Sequence, residues 1–232
     1  MRKLVFIVLC LIGANNIKAQ DTIITPDADN PALAEYRIRY ASGETRTIGK
    51  MEAGKKEGVW RWYSQKGVVE KMEEYKNDKL NGIHFHFSEN GVVEDEENYR
   101  NGVLHGVKNS YLFGATLKLS ENYVNGKLDG EYRSFYETGQ LQEKAMYKNG
   151  LREGVTMWYK QDSKPTIVYT YKAGQLNGPA KMYSNGEIQS EGDYKNNNED
   201  GEWKVYEDGA LLKTVLYKDG KKIKETAAKK KQ

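Results

Sequence analysis

An all-β chain is predicted: an elongated, single-layer antiparallel β-meander of about eight hairpin repeats of 23 to 24 residues, twisted into a rod. Three observations predict it. Glycine recurs with a fixed period, two aromatic columns keep step with it, and glycine-containing turns fall about every dozen residues.

The composition of the 232 residues points the same way. Beyond residue 19, Leu, Ile, Val and Phe make up about 17% of the chain, below the roughly 20% at which chains tend to be disordered. High net charge, the other half of that signature, is missing, because 36 basic and 33 acidic residues nearly cancel. Seventeen tyrosines and 23 glycines therefore need a structural explanation.

Residues 1–19 read as a secretory signal peptide: Arg2 and Lys3 precede the apolar run Leu4 to Gly13, and Ile17-Lys18-Ala19 suits cleavage before Gln20. The run is too short to span a bilayer. Cys10 lies within it, so cleavage leaves no cysteine, and the protein is expected in the periplasm or outside the cell, without disulfides. Residues 20–35 read as a polar linker.

The array is assigned to residues 36–224. Gly58, Gly82, Gly106, Gly130, Gly154 and Gly178 are spaced by 24 residues, and Gly201 follows after 23. Five residues after each comes an aromatic: Tyr63, Phe87, Tyr111, Phe135, Tyr159, Tyr183 and Tyr206. A second column, Tyr75, Tyr99, Tyr123, Tyr147, Tyr171, Tyr194 and Tyr217, follows 12 or 11 residues later. Asn-Gly at 90, 101, 125, 149 and 185 and Asp-Gly at 208 supply the positive φ that tight hairpins require. About 16 strands at about 4.8 Å give a rod of about 75 Å, in which the aromatic columns pack repeat against repeat. Pro165 and Pro179 each remove a ladder donor, so pairing should be least regular between 161 and 180. Residues 225–232 form a basic tail. Lys221 to Gln232 carries six lysines and one glutamate, which leaves residues 20 to 220 acidic and offers no basic body for nucleic acid.

Segments such as Tyr123-Val-Asn-Gly-Lys-Leu-Asp-Gly-Glu-Tyr132, running on to Phe135-Tyr-Glu-Thr-Gly-Gln-Leu141, resemble MORN repeats of the bacterial variant type, over residues 36 to 224. The resemblance implies the hairpin array. Bacterial proteins of this kind are often labelled YwqK-like toxin–antitoxin antitoxins, an implication at odds with an export signal.

Phosphate-cradling loops, nucleophile elbows and paired-cysteine zinc motifs are missing, and no enzyme activity and no cofactor are expected. Carboxylates at 70–74 and 94–97 read as a solvated strand face. His84 and His86 alternate on a strand, with Glu94 or Asp95 expected near His84 and His105 farther off; because Trp60 and Trp62 hold the equivalent positions, the pair reads as surface rather than metal site. Trp60, Trp62, His84, His86, Tyr132, Trp158 and Trp203 share one face by parity and are the candidate partner-binding residues. Coiling of the sheet over these rings is the competing expectation. The function expected is an exported, non-catalytic scaffold for protein–protein interaction in the cell envelope. The alternatives are antitoxin-type neutralisation of a partner, or lipid or glycan binding, with weak membrane-surface contact through the lysine-rich tail.

Overall fold

The computed structural model describes residues 21–228, so the expected signal peptide and the last four residues of the tail lie outside the described residues. No helix occurs among them, and the fold class is the one predicted. The chain divides into two compact units at Ala115/Thr116.

The first unit carries β1 (Thr22–Pro26), β2 (Leu33–Arg39), β3 (Thr45–Glu52), β4 (Lys55–Tyr63), β5 (Val69–Lys76), β6 (Lys79–Phe87), β7 (Val93–Arg100), β8 (Val103–Leu104) and β9 (Gly106–Leu112). Consecutive strands pair antiparallel, and β8 and β9 both pair with β7, interrupted at His105. The second unit carries β10 (Thr116–Val124), β11 (Lys127–Phe135), β12 (Leu141–Lys148), β13 (Leu151–Arg152), β14 (Gly154–Tyr159), β15 (Pro165–Lys172), β16 (Gln175–Ser184), β17 (Glu187–Lys195), β18 (Asn198–Glu207), β19 (Ala210–Lys218) and β20 (Lys221–Ala227). It is an antiparallel meander too.

Both boundaries of the array differ from the expected ones. The stretch 20–35 is no linker, since β1 pairs with β2 along its length. Ile23 and Ile24 supply the strand, and Asp27 closes the turn by accepting from the amides of Asp29 and Asn30. The tail begins later than residue 225, because Glu225, Thr226 and Ala227 pair with Val215, Thr214 and Lys213.

Two turn types alternate. The turns between repeats carry positive φ at two successive residues, as at Asn125 and Gly126 (50° and 76°) or Asn149 and Gly150 (50° and 85°), the signature of type I′. The turns within repeats mostly use three residues with one left-handed position, Gly67, Gly91 or Gly139, and Ser163 fills it in the fifth. In the repeats shortened by one residue, Asn185-Gly186 and Asp208-Gly209 form two-residue turns instead.

The period-setting glycines pair with the second tyrosine column, as in Gly58↔Tyr75, Gly130↔Tyr147 and Gly201↔Tyr217. Each sits beside a β-bulge. Gly130 has φ of 121°, and a Cβ there would lie 3.0 Å from the Cβ of Asn122, so only glycine fits. The residue facing the bulge returns a hydrogen bond: Asn122 Nδ2 donates to the Glu131 carbonyl (2.8 Å), and Asn98 Nδ2 to that of Val107 (2.7 Å). Thr170 does the same for the carbonyl of Pro179 (2.9 Å). Here lies the reason that prolines leave the pairing intact: Pro179 falls within the bulge, where its missing N–H costs no ladder bond, and Pro165 is the first residue of its strand.

Candidate interaction face

Cross-strand pairing sorts the Trp-bearing face into rows. A tyrosine row alternates the second column with the residue two before each period-setting glycine: Tyr75↔Leu80, Tyr99↔Leu104, Tyr123↔Leu128, Tyr147↔Arg152 and Tyr171↔Leu176. Beside it runs a middle row. In the first unit this row passes through Ile24, Tyr36, Gly49, Trp60, Glu73, His84, Glu97 and Lys108. In the second it includes Tyr132, Ala145, Thr156, Tyr169, Ala180, Gly192, Trp203 and Val215. A margin row adds Trp62, Lys71, His86 and Asp95, then Ser134, Glu143 and Trp158 in the second unit.

This face is where the core sits. Among the described residues, Trp60, Ala145, Ala180, Trp203, Val215, Thr47, Gly49, Glu73 and Thr156 are the buried ones, and all belong to it. Large rings lie over small neighbours. Trp203 covers Gly192, where a Cβ would come within 2.3 Å of the indole, and Trp60 covers Gly49 in the same way. Each indole N–H then reaches a backbone carbonyl, Trp60 to Lys50 (3.0 Å) and Trp203 to Asp193 (3.1 Å), so burial leaves no donor unpaired. Edge-on contacts chain Trp158, Tyr169, Tyr194, Trp203 and Tyr217 together, with centroids 5.2 to 6.4 Å apart.

The seven candidate binding residues consequently separate. Trp60 and Trp203, 4% and 3% exposed, are core and present no recognition surface, because flanking side chains pack against their rings, Lys56 on Trp60 and Tyr194 and Tyr217 on Trp203. Tyr132 is half-buried against Tyr147 (5.7 Å). Trp62 is half-buried, with the ammonium groups of Lys71 and Lys56 over its ring at 4.1 and 5.2 Å. Trp158 is half-buried beneath the Arg152 guanidinium (5.3 Å). His84 lies in the middle row. His86 is exposed at the margin.

His84 pairs with Glu97 and His86 with Asp95, which places Glu97 rather than Glu94 or Asp95 beside His84; a register shift between His86 and Phe87 accounts for the change. His84 Nε2 lies 3.7 Å from Glu73 and Nδ1 3.4 Å from Glu97, contacts that make no hydrogen bond, and Glu94 instead reaches His86 Nδ1 (3.3 Å). Lys71 and Lys108 pair with Glu73 and Glu97 at 3.0 and 2.8 Å. Tyr75 and Tyr99 donate to the same two carboxylates, at 2.6 and 2.7 Å. Burial, then the carboxylate, pushes the Tyr99 phenol up to about 12 and raises that of Tyr75 also. For Glu97, burial works to raise the pKa, but hydrogen bonds from Lys108 and Tyr99 and the charges of Lys108 and His84 outweigh it and hold the carboxyl below its ordinary value. No group of three or more His, Cys, Asp or Glu suited to a metal occurs among the described residues.

Lys56 and Arg152 were not singled out from the sequence. Lys56 sits among Trp60, Trp62 and Tyr75 at 4.6 to 5.2 Å, and Arg152 among Tyr147, Trp158 and Tyr171 at 5.3 to 5.6 Å. The signal was present, for both stand where other repeats have leucine (Leu80, Leu104, Leu128, Leu176). On the margin of the first unit a depression of about 710 Å³ is lined by Tyr40, Lys66, Glu70, His86, Phe87 and Glu94, among others.

No curated protein matches the chain. The MORN repeat variant model matches four segments, residues 56–77, 80–101, 128–149 and 177–196. Each begins at or beside the residue two before a period-setting glycine and runs to the turn between repeats. The stretches between matches hold the departures from the pattern, Gly114-Ala115 and Ser163. Such repeats serve in general for interaction with proteins or membranes, and the match carries no antitoxin assignment. With four matched repeats, the glycine-to-tyrosine pairs within each unit and the alternating turns, the chain belongs to the MORN repeat variant family.

Proposed function

We propose that the protein is an exported, non-catalytic scaffold that holds a protein partner in the cell envelope, and that the partner seats at the margin of the first unit around His86. One observation carries this reading: within a constant glycine and tyrosine frame, the margin row changes chemistry from repeat to repeat, and around His86 it opens into the depression of about 710 Å³. Tyr40 and Phe87 offer rigid contact area there, while Lys66, Glu70 and Glu94 offer charge of both signs. An interaction module needs this combination, a fixed frame presenting a variable surface.

Photo-crosslinking in intact cells tests it. A crosslinking residue at position 86 should capture one protein species from the envelope, and one at Arg61, exposed on the opposite face of the same unit, should not. His86→Ala with Phe87→Ser should abolish capture from a probe at position 66. Equal capture from both faces, or residence in the cytoplasm with residues 1–19 retained, would overturn the proposal.

A further inference from the structure

Among the described residues, β1 pairs with β2 alone and β20 with β19 alone. The two strands finish the Trp-bearing face in opposite ways. At β20 the middle row passes from Val215 to Glu225, and the tyrosine row from Tyr217 to Lys222, so both end in charge. Every residue of β20 is exposed. This is how a terminal repeat closes an array.

At β1 the middle row instead ends on Ile24, next to Tyr36 and Gly49, and the flanking rows end on Thr22 and Pro26. No charged residue lies between 22 and 26. Backbone direction makes the edge more open still. The Arg39 amide donates to the Asp21 carbonyl (3.0 Å) and the Asp27 amide to the Leu33 carbonyl (2.9 Å), so the odd-numbered residues of β1 turn their polar groups toward β2. Thr22 and Ile24 therefore turn both N–H and C=O outward, and Pro26 its C=O. An apolar row that stops at an edge with unpaired backbone groups is a template for another strand.

Charge selects which strand. Asp21, Asp27 and Asp29 flank β1, whereas β20 carries Lys221, Lys222 and Lys224 around Ile223. Two β20 edges repel each other, and two aspartate-flanked β1 edges do likewise. Unlike edges attract.

We propose that the β1 edge of one copy takes the β20 edge of a second copy, joining chains head to tail by sheet continuation. Such an interface is heterologous, giving rings where the rotation closes and open chains where it does not. The proposal is independent of the envelope partner, since it uses neither His86 nor the depression.

Sedimentation and light scattering of the purified protein test it through a mixing experiment. The protein should self-associate with rising concentration, less so in high salt. Ile24→Lys, which blocks the β1 edge, and Lys222→Glu with Lys224→Glu, which reverses the β20 edge, should each weaken association about tenfold or more, with circular dichroism melts confirming that both variants fold. Each blocked chain keeps one good edge of opposite kind, so mixing the two variants should restore dimers that grow no further. Asp21→Lys with Asp29→Lys should rescue association when paired with the lysine-reversed chain. A protein monomeric at all concentrations, a lysine-reversed variant that associates as well alone as the parent, or a mixture that stays monomeric would each overturn it.

Discussion

The middle row does the same structural job in both units with different chemistry. From Ala145 to Val215 it is close-packed and almost free of charge, with Trp203 over Gly192 and Tyr169 beside Ala180. From Glu73 to Lys108 it is an alternating ladder of carboxylates and bases, Glu73, His84, Glu97 and Lys108, built on the same backbone register. The frame of bulged glycine and tyrosine thus fixes where side chains go, not what they are. The apolar stretch draws stability from burial, whereas the polar stretch only offsets its own desolvation if every member is paired.

The sharpest way to break the comparison is at the ring with the deepest burial. Trp203→Ala should destabilise the second unit by about 3–5 kcal/mol in denaturant melts, because the cavity over Gly192 cannot collapse. In the polar ladder, Glu73→Ala removes the acceptor of Tyr75 and the partner of Lys71, at about 1–3 kcal/mol. The combined change Glu73→Ala, His84→Tyr and Glu97→Ala copies the pattern of Tyr132 and Ala145, and should recover most of that loss. If the triple variant melts below Glu73→Ala alone, the two rows are not interchangeable.

Smaller effects sharpen it further. Gly126→Val should cost more than about 1 kcal/mol, since a β-branched side chain is strained at a φ of 76°. Acid should separate the units next. The folded Glu97 carboxyl titrates below the unfolded value of 4.5, so its contribution is fully present above that value and is lost as pH falls through the folded pKa. Glu97→Gln should flatten the acid limb of the melting curve. The smallest effect belongs to the opposite face, where Val59→Ser at an exposed position should shift stability by no more than about 0.5 kcal/mol.

Much of this was legible in the chain. Asn-Gly pairs named the turns, and the spacing of Gly58 and its equivalents named the strands. Parity also placed Trp60, Trp62 and Trp203 on one face. What parity cannot say is which face is covered, because a strand pattern with aromatics on both sides reads the same whichever side is buried. Bulges hid the rest. One falls beside each period-setting glycine and another where most strands leave the turn, so Tyr75 joins the Trp side and His84 meets Glu97. The β1 strand was missed because Pro26, Asp27 and Asn30 gave residues 20–35 the composition of a loop, although Ile23 and Ile24 sit at its centre.

The paired turn types within repeats carry an evolutionary consequence. Tyr63 meets Val69 across a three-residue turn, while Tyr183 meets Ile188 across a two-residue one, yet Trp60↔Glu73 and Ala180↔Gly192 occupy the same place in the row. A codon can therefore be gained or lost at that bend without reshuffling either face. Insertions and deletions fixed in relatives of this chain should accumulate there, leaving the repeat-joining Asn-Gly bends at constant length.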